Sequence, residues 1–315
     1  MHNTVTLFES HQTITIGILV DSDIRQNEVN GLKHALGDHA VKGNHSFIYK
    51  VKDAGGDRTK LPGLAAEIIA EKPDIAVAGG GIEADALHAA SASTRTPVIF
   101  MSCASSVDRG IVAGMASSEN NLTGIDTNDT QLTAKRLWFI RKMLPDARKV
   151  FCFHVPSIAP SVNSLAVAKK AASKLGLEVA TAEVETEADI RRATAALSKS
   201  NVDVILLLPA APVHGAMGTI IFPKALAERI PIFGYGEDSM KKGAFATYSG
   251  SRYAIGQQTA RLVHKIVNGI APRDIPVETP EKLELVINRD LVDKLGLKLS
   301  KRVWRMADKI VDIQF

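Results

Sequence analysis

The chain has 315 residues, 45% of them hydrophobic and 23% charged, and 38 basic against 34 acidic residues leave a net charge of +4. That length exceeds the ~100–200 residues of one domain, so two domains are expected, each with ample material for a core. The basic residues are spread rather than blocked, which argues against nucleic acid as the main partner, and no stretch reaches the ~18 apolar residues of a membrane helix.

The opening "MHNTVTLFESHQTITIGILV" lacks the charged n-region, apolar h-region and small-residue cleavage site of a secretory leader. The chain is therefore expected to be either cytoplasmic or a mature form whose leader has been replaced by Met1. From Thr13 to Phe100 strands and helices alternate. "TITIGILV" is a β-branched run, followed by a helix over Gln26–Leu36 with Val29, Leu32 and Leu36 on its apolar side. "HSFIYKV" precedes a helix over Leu61–Ile69, "DIAVA" a helix over Ile82–Ala92, and "TPVIF" is the fourth strand. Continuous apolar strands between amphipathic helices specify a parallel sheet covered on both faces.

A linker is expected around "SSENNLTGIDTNDT", rich in Asn, Ser, Thr and Gly, with Asn128 to Thr130 capping the helix that holds Leu132, Leu137, Ile140 and Leu144. The alternation then restarts. "KVFCFHV" leads to a helix over Ser161–Leu175 closed by Gly176 at the usual position. "EVATAEV" leads to "TEADIRRATAALS", where Thr186 and Asp189 form a capping signature, "VDVILLL" precedes a helix near Val213 to Leu226, and "IPIFGY" completes the set. "GAFATYSGSRYAIGQQTARLVHKIVNG" adds a strand and a long helix expected to return to the first domain. Lys301, Arg302, Arg305 and Lys309 read as the solvated face of a helix containing Val303, Met306 and Ile310. The fold class is α/β, two Rossmann-like doubly wound parallel-sheet lobes. Their expected bounds are 12–122 plus 247–275 and 123–246 plus 276–315.

In open α/β sheets ligands sit beyond the carboxyl ends of the strands, so with two such units the cleft between them is the expected site. The first half contributes Asp21, Ser22, Gly80, Gly81, Ile82, Glu83 and Ser102, and the second half His154, Ser157, Pro209, Tyr235, Glu237 and Asp238. The amides at Gly80 to Ile82 and the Ser102 hydroxyl suit a carboxylate, whereas Glu237 and Asp238 suit an ammonium, or merely cap a helix or face solvent. An amino acid or similar zwitterion matches both sets. The string Gly79, Gly81, Ala84 satisfies G-x-G-x-x-A, but it follows the third strand and the fourth ends in "VIFMSC" with no ribose-binding acid, which disfavours a dinucleotide.

No G-x-S-x-G elbow, P-loop, HExxH or paired-cysteine zinc site is present, so no catalytic residue, no metal and no cofactor is expected. Cys103 and Cys152 read as buried free thiols, a bridge between them requiring Cα atoms within about 7 Å. His154 is the one histidine at a strand end in the proposed cleft, and it reads as a binding or structural residue; His214 reads as structural.

Several strings in order, "KPDIAVAGGGIEADAL", "TPVIF", "NNLTGI", "LPDARKV", "VNSLAVAKKAASKLGLEV", "VDVILLL", "IPIFGYGEDSMKKGAFATYSGSRYAIGQQTARLVHKIVNG" and "ELVINRDLVDKLGLKL", together resemble the substrate-binding component of an ABC importer. More narrowly they are similar to the type I periplasmic binding protein subfamily that includes aromatic amino-acid (tryptophan) binders. The resemblance implies two lobes joined by several crossovers that close on a ligand without chemistry, membrane permease and ATPase subunits as partners, a monomer, and a periplasmic or extracellular location. It maps the ligand's polar head onto Gly80, Gly81, Ile82 and Ser102, and its ammonium onto Glu237 or Asp238. Where that family's first strand ends in a Gln-containing turn with a His-Pro, this chain reads "VDSDIRQNE", so the ligand's identity does not carry over. A cytoplasmic ligand sensor on the same scaffold, as in lactose-repressor-like regulators, is the alternative. An enzyme using His154 with Ser102 or Ser157 is a third.

Overall fold

The computed structural model describes residues 12–40 and 45–315; the leader reading of Met1–His11 lies outside them. The chain divides into two compact units. Unit 1 comprises residues up to Asp126 together with Arg252–Thr279, and unit 2 comprises Thr127–Ser251 and Pro280–Phe315. The chain thus passes between them three times.

Unit 1 holds a five-stranded parallel sheet in the order β2-β1-β3-β4-β5, built from β1 (Gln12–Val20), β2 (His45–Asp53), β3 (Ile75–Ala78), β4 (Val98–Cys103) and β5 (Leu122–Asp126). The two-residue period of β1 sends Ile14, Ile16 and Ile18 to one face and Leu19 to the other. On the first face they meet Val29, Leu32 and Leu36 of α1 (Gln26–Ala40) and Leu262 and Val263 of α9 (Arg252–Val267). On the second, Leu61 and Ile68 of α2 (Leu61–Ala70) and Leu87 of α3 (Gly81–Ser91) pack with Ala76, Ala78 and Phe100. Each such fully buried Leu or Ile contributes about 1.5–3 kcal/mol of apolar transfer. Helices α1 and α9 touch backbone to backbone: a Cβ on Gly31 would stand 2.1 Å from the Tyr253 carbonyl oxygen, and one on Gly256 2.0 Å from that of Glu28. This close crossing brings the start of α9 against Glu28.

Unit 2 holds a seven-stranded sheet in the order β12-β11-β10-β9-β8-β6-β7. Its strands are β6 (Lys149–His154), β7 (Glu178–Glu183), β8 (Val204–Leu206), β9 (Ile232–Gly234), β10 (Ala246–Gly250), β11 (Leu283–Asn288) and β12 (Lys309–Val311). All neighbours are parallel except β10 and β11. The covering helices include α4 (Asp129–Met143), α5 (Ala159–Leu175) and α6 (Glu187–Ala195), the last opened by a capping box in which Thr186 and Asp189 bond reciprocally, as the sequence predicts.

Four expectations are corrected. "LTGID", taken as linker, is β5, with all five residues buried; its Asn- and Ser-rich flanks hid a short strand. Thr247–Gly250, assigned to the first lobe, belong to β10, which pairs with β9 and β11 in the second sheet, so the crossing falls at Ser251/Arg252, and residues 276–279 go with unit 1. The helix read over Val213–Leu226 is α7 (Ala211–Ala216), a π turn (Met217–Ile221) and α8 (Phe222–Ala227). Pro223 has no N–H for the carbonyl four residues back and its ring crowds that group, which favours widening the turn. Ile310 lies in β12, beyond the helix α11 (Lys301–Met306). In addition Asn128 occupies the position before α4 in a left-handed conformation (φ 54°) without a side-chain capping bond.

Candidate functional site

In unit 1 the expected site residues gather at the carboxyl ends of β1, β3 and β4. The turn after β1 places Asp21, whose backbone N–H donates to Glu83 Oε1 at 3.2 Å. Glu83, in the first turn of α3, is fully buried. Its carboxylate lies beside Gly79 and Gly80, so the positive end of α3 carries an internal acidic group. Burial pushes the Glu83 carboxyl above the usual carboxylate range. Arg25 pulls it down, and Asp21 pushes with burial.

Arg25 lies across the glycine turn. Its Nε donates to Glu83 Oε1 at 3.2 Å, and it stands 3.6 Å from both Asp21 and Glu28. A Cβ on Gly80 would come within 2.2 Å of Arg25 Nη2 and 3.1 Å of Glu83 Oε2, so only glycine there lets the guanidinium lie flat on the backbone. The side chain of Arg109, paired with Asp85, sits beside Gly81 and Cys103. Ile82 is half-buried beside them.

Ser102, half-buried near the end of β4, donates its hydroxyl to Glu28 Oε1 at 3.1 Å. The same oxygen accepts from Arg252 Nη1 at 3.1 Å, and that nitrogen also reaches the Ile24 carbonyl. Glu28 is completely buried, and its Oε2, like Glu83 Oε2, has no hydrogen-bond donor among the described residues. Ser22 makes a long contact of 3.4 Å to Asp21.

In unit 2, Tyr235, Glu237 and Asp238 follow β9, with Glu237 and Asp238 opening a 3-10 turn. Asp238 Oδ2 lies 2.9 Å from Nε2 of His214 in α7, an off-line contact that is electrostatic rather than a hydrogen bond. Lys242 Nζ stands 3.3 Å from His214 Nδ1 and 3.1 Å from the His214 carbonyl oxygen. An ammonium only donates, so in its contact with Lys242 the Nδ1 of His214 is the acceptor. The Tyr235 ring tilts against His214 at 5.4 Å. Ser157 is engaged elsewhere, its N–H and hydroxyl both bonded to Glu185 at 3.0 and 2.6 Å. Pro209 is buried after β8. His154 ends β6 with a buried Nδ1 that finds no hydrogen-bond partner among the described residues.

Residues that sequence reading left out of the site hold it together: Glu28, Arg252 and Arg109 in unit 1, His214 and Lys242 in unit 2. A signal existed for one of them. Glu28, Leu32 and Leu36 are spaced by four, so a carboxylate occupies a core-facing place on α1. No comparable pattern marks Arg252, which depends on the return of α9.

Cys103 and Cys152 are buried, in different units, and not joined in a disulfide. Burial pushes the Cys103 thiol well up and the Cys152 thiol up to about 12, so neither is poised as a nucleophile. Among the described residues no cluster of three or more His, Cys, Asp or Glu could hold a metal ion, and no helix is long and apolar enough to cross a membrane.

Residues 13–311 match the model of the family described as ABC transporter substrate binding protein. A tyrosine-binding protein of Clostridioides difficile is 24% identical over 299 residues, covering 95% of this chain and 85% of that protein. A streptococcal ABC domain solved in complex with L-Trp is 19% identical at a TM-score of 0.81, over 95% of this chain and all of that one. A conserved domain protein from Vibrio cholerae is 24% identical at a TM-score of 0.79, over 96% of this chain and all of that one. The structural likenesses establish the two-unit α/β fold, and the family is one of solute binders rather than enzymes. Because the family model spans nearly the whole chain, this protein belongs to the ABC transporter substrate binding protein family.

Proposed function

We propose that this protein is the solute-binding component of an ABC importer and takes an amino acid or closely similar zwitterion in the cleft between its lobes by hinge closure. The observation that carries this reading is the clustering of polar side chains at the carboxyl ends of the strands in each unit, Asp21, Glu83 and Ser102 in one and Tyr235, Glu237 and Asp238 in the other. The L-Trp complex of one fold relative and the tyrosine-binding activity named for another support an aromatic amino acid as the first class to try.

The lobes act as a monomer outside the cytoplasmic membrane and present the closed, loaded form to permease and ATPase subunits. Loading needs differential affinity for the closed state, and that differential is what the partners read.

Thermal unfolding of the purified chain with each of the twenty amino acids tests the reading. A true ligand at a hundredfold excess over its Kd stabilises by about 2.7 kcal/mol. A melting point unmoved by all twenty rules out the amino-acid class.

A further inference from the structure

We propose that Glu28 is a positioning residue that fixes the polarity of Ser102, so that unit 1 receives the hydrogen-bond-donating, ammonium end of the ligand rather than its carboxylate. This rests on the ligand-binding reading above and reverses the polarity that the sequence assigns to Ser102.

Glu28 Oε1 accepts two hydrogen bonds at 3.1 Å, one from Arg252 Nη1 and one from Ser102 Oγ. A guanidinium has no acceptor, so this oxygen is held as an acceptor and the serine proton must point at it. What Ser102 has left for a ligand is its lone pairs. A carboxylate would meet lone pairs with lone pairs, whereas an ammonium donates to them directly.

The surroundings agree. The Glu83 carboxylate, which accepts from the Asp21 N–H, lies beside Gly79 and Gly80 at the start of α3, where a ligand carboxylate would meet a second negative group. Arg25 does not offset this, because its guanidinium is already shared among Glu83 at 3.2 Å and Asp21 and Glu28 at 3.6 Å. Glu28 and Glu83 each retain one fully buried oxygen without a donor among the described residues. A positive charge arriving at Ser102 lies beside Glu28, in surroundings of low dielectric where attraction is strong. The ammonium that the sequence assigns to Glu237 or Asp238 then has a partner in unit 1 as well.

Matched series test this with the full chain: L-tyrosine, tyramine and 3-(4-hydroxyphenyl)propionate, and the corresponding indole set of L-tryptophan, tryptamine and indole-3-propionate. Affinity is read by calorimetry and melting shift. The expected result is that the two amine-bearing members of a series bind at least tenfold tighter than the desamino acid. In Glu28→Met no acceptor faces Ser102, whose hydroxyl proton is then free for a ligand, so that preference falls at least tenfold.

Ser102→Ala loses the same preference, and the double variant shows no further loss, whereas a merely structural Glu28 gives additive effects and an unchanged preference. If Glu28→Met does not fold, Ser102→Ala alone decides, since it removes the lone pairs and leaves the buried acid in place. An unchanged preference in the folded single variants overturns the assignment. Tight binding of the desamino acids overturns it too while leaving solute binding intact. Absence of binding by every member of both series removes the aromatic amino-acid reading and this inference together.

Discussion

Each unit buries a charged side chain completely on its first helix, and the two are treated differently. In unit 2, Arg136 of α4 is 0% exposed and is met on all sides: Nε bonds the Tyr248 carbonyl, Nη1 the Asp129 carbonyl, and Nη2 both the Asp129 carboxylate and the Tyr235 carbonyl. In unit 1, Glu28 of α1 is equally buried, yet one oxygen gathers Ser102 and Arg252 while the other meets no donor among the described residues. A buried ion with all three nitrogens bonded locks a scaffold, here tying the strand ends at Tyr235 and Tyr248 to the start of α4. A buried ion left incomplete beside a half-exposed hydroxyl is arranged for something that arrives later.

The largest effect should come from breaking the complete cluster. Arg136→Met takes the guanidinium away from the buried Asp129 carboxylate and from three carbonyls, and should cost about 3–5 kcal/mol in denaturant unfolding. A loss under about 1 kcal/mol would mean that α4 is not anchored this way. Glu28→Gln retains volume and a hydrogen-bonding carbonyl, so its stability cost should be smaller, about 1–3 kcal/mol by the same measurement. If the two substitutions cost the same, the contrast between scaffold and site collapses. Gly80→Ala should cost less again, about 1 kcal/mol, because the atom it meets is the movable end of Arg25. Its signature should be a changed ligand affinity larger than its change in melting point.

The smallest effects distinguish the units by pH. Glu83 is raised in the folded state, so its contribution is greatest below the ordinary value of 4.5 and is lost as pH rises through the higher folded value. Melting curves of Glu83→Gln should lack that decline. Asp189 at the start of α6 is held down to about 2 by Thr186 and by backbone N–H groups, so it stabilises unit 2 above 3.8 and ceases to do so as pH falls towards 2. Asp189→Asn should flatten the acid arm alone. The same slope in both variants would show that neither carboxylate is responsible.

How much of this could be read from residues alone follows the same division. The alternation of apolar runs and amphipathic helices specified both sheets, because burial on two faces leaves a plain pattern in β1, β3 and β6. Short strands were harder. The five residues of β5 sit among Asn, Ser and Thr, and β10 pairs in register with two strands that no local feature reveals. The positions of Asp21, Glu83 and Ser102 at strand ends were legible from topology. The direction of the Ser102 hydroxyl was not, since it depends on Glu28 and Arg252, 224 residues apart in sequence and joined only by the crossing of α1 and α9. The expected anion site at Gly80 to Ile82 illustrates the same limit. A helix terminus is visible in sequence, but whether its own third residue already places an acid beside it depends on a side-chain conformation.

The division of unit 1 between residues up to Asp126 and the returning segment Arg252–Thr279 also has a consequence in time. The face of the first sheet that carries Ile16 and Ile18 is closed in part by Leu262 and Val263 of α9. On a ribosome elongating at about 5–20 residues per second, roughly 6–25 s pass between the synthesis of β5 and that of α9. Throughout that interval unit 1 has a partly uncovered apolar face, while the Thr127–Ser251 segment of unit 2 is being made. The nascent chain therefore completes its first-begun sheet late, and this interval is when a chaperone that holds apolar surface should bind it most strongly.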